Sequence, residues 1–321
     1  MLPQPGGLKQ PLASMTMRIS INGSSELLHS DIPRLVAHAK KAADDGMTGW
    51  WLAQTGLVDA LTVLALAADS APGIELGTAV NATFPIHPTA LAAKALTTQA
   101  ATGGRLALGL GVNHAPVVEE TWGMTFEKPI RHMRDYLSCL LPLLADGQAA
   151  YAGEDYTARF EGARPTLQTP GVILAAMGPQ MLKLAGSRTD GTILWMTGPK
   201  AIASQIVPHI SEAATAAGRP EPRIICSLPI AVTDDEAGLR GFIDQVLERY
   251  GTLPSYRAML DIDGYAGPGE AMICGNEDSV REQLGVIADA GATEFAAAEV
   301  GASSDDYART RALLQEINTA D

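Results

Sequence analysis

Cysteine is scarce in this chain, and so is positive charge. The 321 residues hold three cysteines, Cys139, Cys226 and Cys274, scattered and with no CxxC pair. Such usage suits a reducing, cytoplasmic setting and supplies no thiolate metal site. The six histidines show no HExxH or other close ligand spacing, so no metal is expected. Lys and Arg number 23 against 36 Asp and Glu, a net charge of −13. Nucleic acids and anionic membrane surfaces are gripped by clustered cations, so neither is expected as a partner. No apolar run reaches the ~18–20 residues of a membrane span. The opening stretch, MLPQPGGLKQPLASMTM, lacks the apolar core of a secretory signal. Residues 1–15 read as a flexible N-terminal tail and 16–321 as one domain. Also missing are a GxGxxG fingerprint, a Ser–His–Asp pattern, paired carboxylates and a catalytic cysteine context, which leaves dinucleotide folds and covalent hydrolases without support.

What is present is a regular alternation. Hydrophobic residues make up 46% of the chain, enough for a large core. Short apolar runs at 17–22, 49–54, 74–80, 105–111, 171–176, 192–196, 223–232 and 294–300 read as strands. Between them lie helical patterns at 59–70, 88–102, 127–145, 178–187, 200–217, 235–250, 277–290 and 304–318. An earlier helix is capped by Asp31, carries Pro33 in its first turn and stops at Gly46. Eight strands alternating with helices at this length favour an α/β fold of the (β/α)8 TIM-barrel type over an open doubly wound sheet. Residues 146–170 read as an irregular insertion, and 252–270 as an irregular or partly helical one. Of Trp50 and Trp51, strand alternation sends one into the barrel and the other toward the helices.

In such a barrel the residues after each strand carry the chemistry. The third strand runs into GTAVNATFPIHP, with Pro85 and Pro88. Two readings stand: an ordinary proline-bounded loop, or a small-residue platform for a planar ring. The fourth, LGLGVNHAP, places Gly109 and Gly111 inside a strand, where glycine implies close approach of a backbone or a ligand. Asn113 and His114 follow, either over a ligand or in a surface loop. After the fifth strand, Gly178 and Pro179 open a helix whose free N–H groups suit a phosphate, although Pro at a helix start is also commonplace. After the sixth, Thr197, Gly198 and Lys200 offer a second such cradle. Gln54 and Thr55, after the second strand, supply hydrogen bonds without a titratable group.

Three segments carry a resemblance: 77–114, with HPTALAAKALTTQAATGGRLALGLG at its centre; 172–199, VILAAMGPQMLKLAGSRTDGTILWMTGP; and 272–296, MICGNEDSVREQLGVIADAGATEFA. Together they resemble the bacterial luciferase-like family and, within it, the coenzyme F420-dependent oxidoreductases. The resemblance implies a TIM barrel with insertions and a non-proline cis peptide at Ala79–Val80. It puts a deazaflavin ring near Gln54, Thr55, Ala79, Val80, Asn81, Gly111, Val112, Asn113 and His114. It puts the cofactor phosphate near Ala176, Met177, Gly178, Pro179, Thr197 and Gly198. The family's sugar-phosphate dehydrogenases carry an Asp–His pair after the second strand and a Glu after the fourth; here Gln54, Thr55 and His114 stand there. Loss of that alcohol-oxidising set favours a reductase of an activated C=C, C=N or C=O bond in a small molecule, with His114 and Gln54 as the candidate catalytic residues. The alternatives are an FMN-dependent monooxygenase and a non-catalytic flavin-binding relative. A homodimer is expected on resemblance alone. Local attraction for the acidic cofactor tail would come from Lys183, Arg188 and Lys200.

Overall fold

The computed structural model describes residues 17–165 and 168–319. The tail expected at 1–15 lies outside them. Eight parallel strands form a closed ring: β1 (Arg18–Asn22), β2 (Gly49–Leu52), β3 (Glu75–Thr78), β4 (Leu106–Gly111), β5 (Gly171–Leu174), β6 (Gly191–Trp195), β7 (Arg223–Val232) and β8 (Glu294–Glu299). Each pairs with the next in sequence, and β8 returns to β1 with Ile19 opposite Phe295. The expected (β/α)8 barrel is therefore present. Two short strands extend it at the C-terminal end: Asn81–Ala82 beside the end of β4, and Ile273–Gly275 beside the end of β7.

The helices of the outer layer are α1 (Ile32–Asp44), α2 (Ala60–Ala67), α3 (Pro88–Ala101), α4 (Pro129–Asp146), α5 (Pro179–Arg188), α6 (Val207–Ala216), α7 (Glu236–Val246), α8 (Glu248–Thr252), α9 (Pro254–Asp263), α10 (Glu277–Asp289) and α11 (Ser304–Thr319). Their ends follow local chemistry. The Asp31 carboxylate accepts from the Arg34 amide at 3.2 Å to start α1, and Gly46, with φ of 74°, ends it in a conformation that costs glycine little.

Both insertions are more regular than their sequences suggest. Residues 148–161 form an antiparallel hairpin, Gln148–Ala152 with Thr157–Glu161. Its only buried strand side chains are Ala149 and Ala158, too weak a pattern to read as strand. The hairpin is pinned by buried Asp135 of α4, which accepts from the Tyr151 hydroxyl and the Glu154 amide, both at 2.8 Å, and from the Asp155 amide at 3.0 Å. Residues 252–270 are mainly helix: Pro254 opens α9, Gly264 closes it at φ 82°, and Pro268–Ala271 adds one more turn.

The barrel interior is layered. Its floor is ionic. The Arg223 guanidinium donates to both oxygens of Glu75 at 2.8 and 2.7 Å and to Glu294 at 2.7 Å. Glu294, fully buried, also accepts from Ser20 Oγ at 2.6 Å and Trp51 Nε1 at 2.8 Å. The middle layer is Trp51 with Ala107, Ile173, Ile193, Ile225 and Ala296. A Cβ on Gly77 would overlap the Trp51 ring, so glycine at that position is what lets the indole fill the lumen. Trp50, its neighbour, packs in the separate cluster between sheet and helices and donates to His38 Nδ1 at 3.1 Å. Above the Trp51 layer, Ala79, Val80 and Ala175 cap the interior with small or slim side chains.

Candidate functional site

The C-terminal mouth of the barrel starts at the end of β3. There the Ala79–Val80 peptide is cis, as the resemblance implied. The segment is tied to the end of β2: Ala79 N donates to Leu52 O at 2.9 Å, and Gln54 N to Val80 O at 3.2 Å. Val80 then fills the space beside β4. A Cβ on Gly111 would stand 2.7 Å from Val80 Cγ2, and one on Gly109 would run into the Thr78 carbonyl. These glycines therefore make room for the chain's own β3 end. Asn81 follows, its side chain buried and its Oδ1 without a hydrogen-bond partner among the described residues. A buried acceptor left open is costly, and its presence here marks a place where another donor fits.

Asn113 adopts φ of 61° and its Oδ1 accepts from the His114 amide at 2.8 Å, which turns the chain off β4. Val112, Asn113 and His114 are all half-buried. The His114 ring meets Tyr256 (5.5 Å between centroids) and Tyr250 (6.1 Å), both edge-on. Its nitrogens make no hydrogen bond to any described residue. Burial, and then the charge of Arg249, hold the imidazole below its ordinary value, so it is neutral at pH 7.

Gln54 is arranged differently from expectation. Its Nε2 donates to Val58 O and its Oε1 accepts from Ala60 N, both at 2.9 Å. Through these bonds the carboxamide shapes the loop into α2. Thr55 beside it is exposed.

The two helix-start cradles also part company. Gly178 is exposed at the start of α5, no side chain caps that helix, and the space beside the glycine is open. Pro179 occupies the first helical position. Ala176 is buried and its backbone is bonded on both sides by Thr192 Oγ1, at 3.2 and 3.0 Å. Half-buried Met177 reaches Thr197, whose hydroxyl is 3.6 Å from the Met177 sulfur. At the second cradle, Gly198 N and Lys200 N donate to the two carboxylate oxygens of Asp263 at 3.0 and 2.8 Å, and Lys200 Nζ donates to the Asp263 carbonyl at 3.0 Å. An internal carboxylate thus occupies the Gly198 and Lys200 amides in this structure. Burial pushes this carboxyl above its ordinary value, against the pull of the amides that hold it. Arg188 is engaged too, with Ser138 Oγ at 2.9 Å. Of the three basic residues expected near the cofactor tail, Lys183 and Lys200 are exposed, and Lys183 is the one whose side-chain ammonium makes no hydrogen bond to a described residue.

Four mouth residues escaped the sequence reading: Trp195 at the end of β6, Tyr250 in α8, and Tyr256 and Asp263 in α9. The alternation that identified β6 said nothing of Trp195 as a ligand group. The tyrosines and the aspartate act through contacts far along the chain. A groove of about 500 Å3 is lined by Phe84, His87, Arg131, His132 and Tyr156, among others. A second open groove, of about 1140 Å3, runs along the hairpin past Phe160 and Arg164. Among the described residues no helix is long and apolar enough to cross a membrane, and no cluster of three His, Cys, Asp or Glu could hold a metal.

Solved structures share this architecture. The coenzyme F420-dependent tetrahydromethanopterin reductase of Methanopyrus kandleri superposes with a TM-score of 0.73 at 20% identity, covering 96% of this chain and 98% of that one. The oxygenating constituent of 3,6-diketocamphane monooxygenase from Pseudomonas putida, in complex with FMN, gives 0.73 at 16%, covering 95% and 97%. In sequence, the 5,10-methylenetetrahydromethanopterin reductase of Methanolobus tindarius is 26% identical over 309 residues, 85% of this chain and 92% of its own length. The description of the luciferase-like monooxygenase family matches residues 15–294, nearly the whole barrel, and the chain belongs to that family.

Proposed function

We propose that this chain is an F420-dependent oxidoreductase that reduces an activated C=C, C=N or C=O bond in a small organic substrate. In this reading Ala79, Val80, Asn81, Gly111 and Asn113 hold the deazaflavin. The open Gly178 turn, with Met177, Pro179 and Thr197, takes its phosphate. The orphaned Asn81 Oδ1 suits a ring edge that bears an N–H, and free amides at a helix start suit an anion. When bound in its reduced form, F420 would supply a hydride from C5.

The observation that carries the direction of reaction is His114. It is half-buried at the mouth, neutral, and no carboxylate hydrogen-bonds to it among the described residues. Oxidising an alcohol needs a base, and an imidazole held below its ordinary value without a carboxylate partner is a weak one. Reduction instead builds negative charge on the substrate, which a neutral imidazole N–H stabilises by donating a hydrogen bond. The proton itself then comes from water. Long-range attraction for an acidic cofactor is absent at a net charge of −13, so affinity should depend little on tail length.

FMN is the second reading, favoured by an FMN-bound neighbour that superposes as well as the F420-dependent one. Fluorescence-quenching titrations of the purified chain with F420 and with FMN test both. Saturable F420 binding, with oxidation of reduced F420 by enoate or imine acceptors, is the expected result. Tight FMN binding without F420 binding overturns the proposal.

A further inference from the structure

We propose that Trp195, Tyr250 and Tyr256, with His114, form the wall that receives the substrate. The ligand class it takes is a flat, uncharged ring compound with a carbonyl or hydroxyl oxygen on its edge. The proposal rests on the barrel mouth being the reactive site.

Four separate parts of the chain bring these rings together: the end of β6, α8, α9 and the loop after β4. Tyr250 stands 5.0 Å from Tyr256 and 6.2 Å from Trp195, and His114 stands 5.5 Å from Tyr256, all edge-on. Tyr256 is only 9% exposed and the others are half-buried. Yet the Tyr250 and Tyr256 hydroxyls, Trp195 Nε1 and both His114 nitrogens hydrogen-bond to no described residue. A buried tyrosine or tryptophan ordinarily spends its polar tip inside the protein. The fully buried rings elsewhere obey that rule: Trp50 donates to His38, Trp51 to Glu294 at 2.8 Å, and Tyr136 to the Ile86 carbonyl at 3.0 Å, whereas the half-buried Trp122 and Tyr265 lack such a bond but stand singly. Here the tips are not sealed in the protein but open to solvent, and four such side chains gathered in one cluster point to a partner outside the chain.

Chemistry narrows that partner. Trp195 only donates, while the tyrosines and a neutral histidine donate or accept, so the cluster is rich in donors and suits oxygen acceptors. Burial pushes both phenols above their ordinary value and keeps them protonated. Aromatic clusters also attract cations. Here the charge felt by His114 is that of Arg249, which opposes a cationic ligand. What remains is stacking and edge contact for a flat ring, with hydrogen bonds for its oxygen.

Isothermal titration of the full chain with three probes tests this. Coumarin is flat and neutral with a conjugated ester carbonyl; methyl crotonate keeps the conjugated ester without the ring system; N-methylquinolinium is flat but cationic. Coumarin is expected to bind about tenfold or more tightly than either of the others. Tyr250→Phe and Tyr256→Phe, which keep the rings and remove the hydroxyls, should each weaken coumarin about three- to tenfold. Absent coumarin binding, tighter binding of either other probe, or unchanged affinity in both variants overturns the proposal. A parallel F420 titration separates the two readings. F420 binding with failed coumarin selectivity sinks the wall alone; hydroxyl-dependent coumarin binding without F420 binding sinks the cofactor assignment alone.

Discussion

Two imidazoles, half-buried His114 and buried His132, are pushed the same way by burial but have different consequences. His114 is neutral at the mouth, and the proposed role needs that neutral form. Because its value is lowered, protonation begins only below the ordinary imidazole range of about 6.5. Turnover should therefore stay level from pH 8 to 6.5 and fall only in more acid solution, in steady-state rates measured from pH 5 to 8. His114→Gln should lower kcat by about a hundredfold and abolish that acid limb. His132 is structural. It stacks on Phe84 at 3.8 Å, its Nε2 lies 2.9 Å from Thr83 Oγ1, and burial drives it down to about 4. The unfolded chain takes up this proton first. The stabilising contribution is thus complete above pH 6.5 and is lost as the pH falls toward 4, by at most about 3 kcal/mol. Urea denaturation at pH 7 and pH 5 should show a smaller difference for His132→Gln than for the parent chain. At this scale His114 was legible because it follows a glycine-rich strand. The engagement of Gln54 was not, since it depends on the backbone of Val58 and Ala60 in a loop with no repeating pattern.

Elements fail or succeed at their ends. The start of the helical run after β6 is held by Asp263, which is 65 residues from Gly198 and comes from α9. Asp263→Ala would leave the Gly198 and Lys200 amides without their acceptor and should cost about 1–3 kcal/mol in urea denaturation. Sequence reading found the turn, because Gly198–Pro199 marks a helix start, but could not find its partner, because nothing local to Asp263 says where its carboxylate goes. The hairpin at 148–161 was missed for a related reason: its order comes from Asp135 on α4 rather than from its own alternation. Strands with every side chain buried, such as the GWWL of β2, were plain to read.

For the whole molecule, eight apolar runs alternating with helical stretches favoured a closed barrel over an open sheet. Periodicity is fixed by the pleat and the helical turn, whereas the mouth is built from loops that carry neither. The floor also drew on distant partners, joining Arg223, Glu75 and Glu294 from three strands. Arg223→Met should cost about 3 kcal/mol in urea denaturation, since it strips a buried carboxylate of its main cationic partner. That floor, with Trp51 seated above it, has a kinetic corollary. The barrel is stoppered at one end, so whatever goes in by the loops must come out by the loops. Two ligands sharing such a doorway have to queue: the deeper guest arrives first and departs last, and the pace of the shallower one's exit limits how soon the next visitor can be admitted.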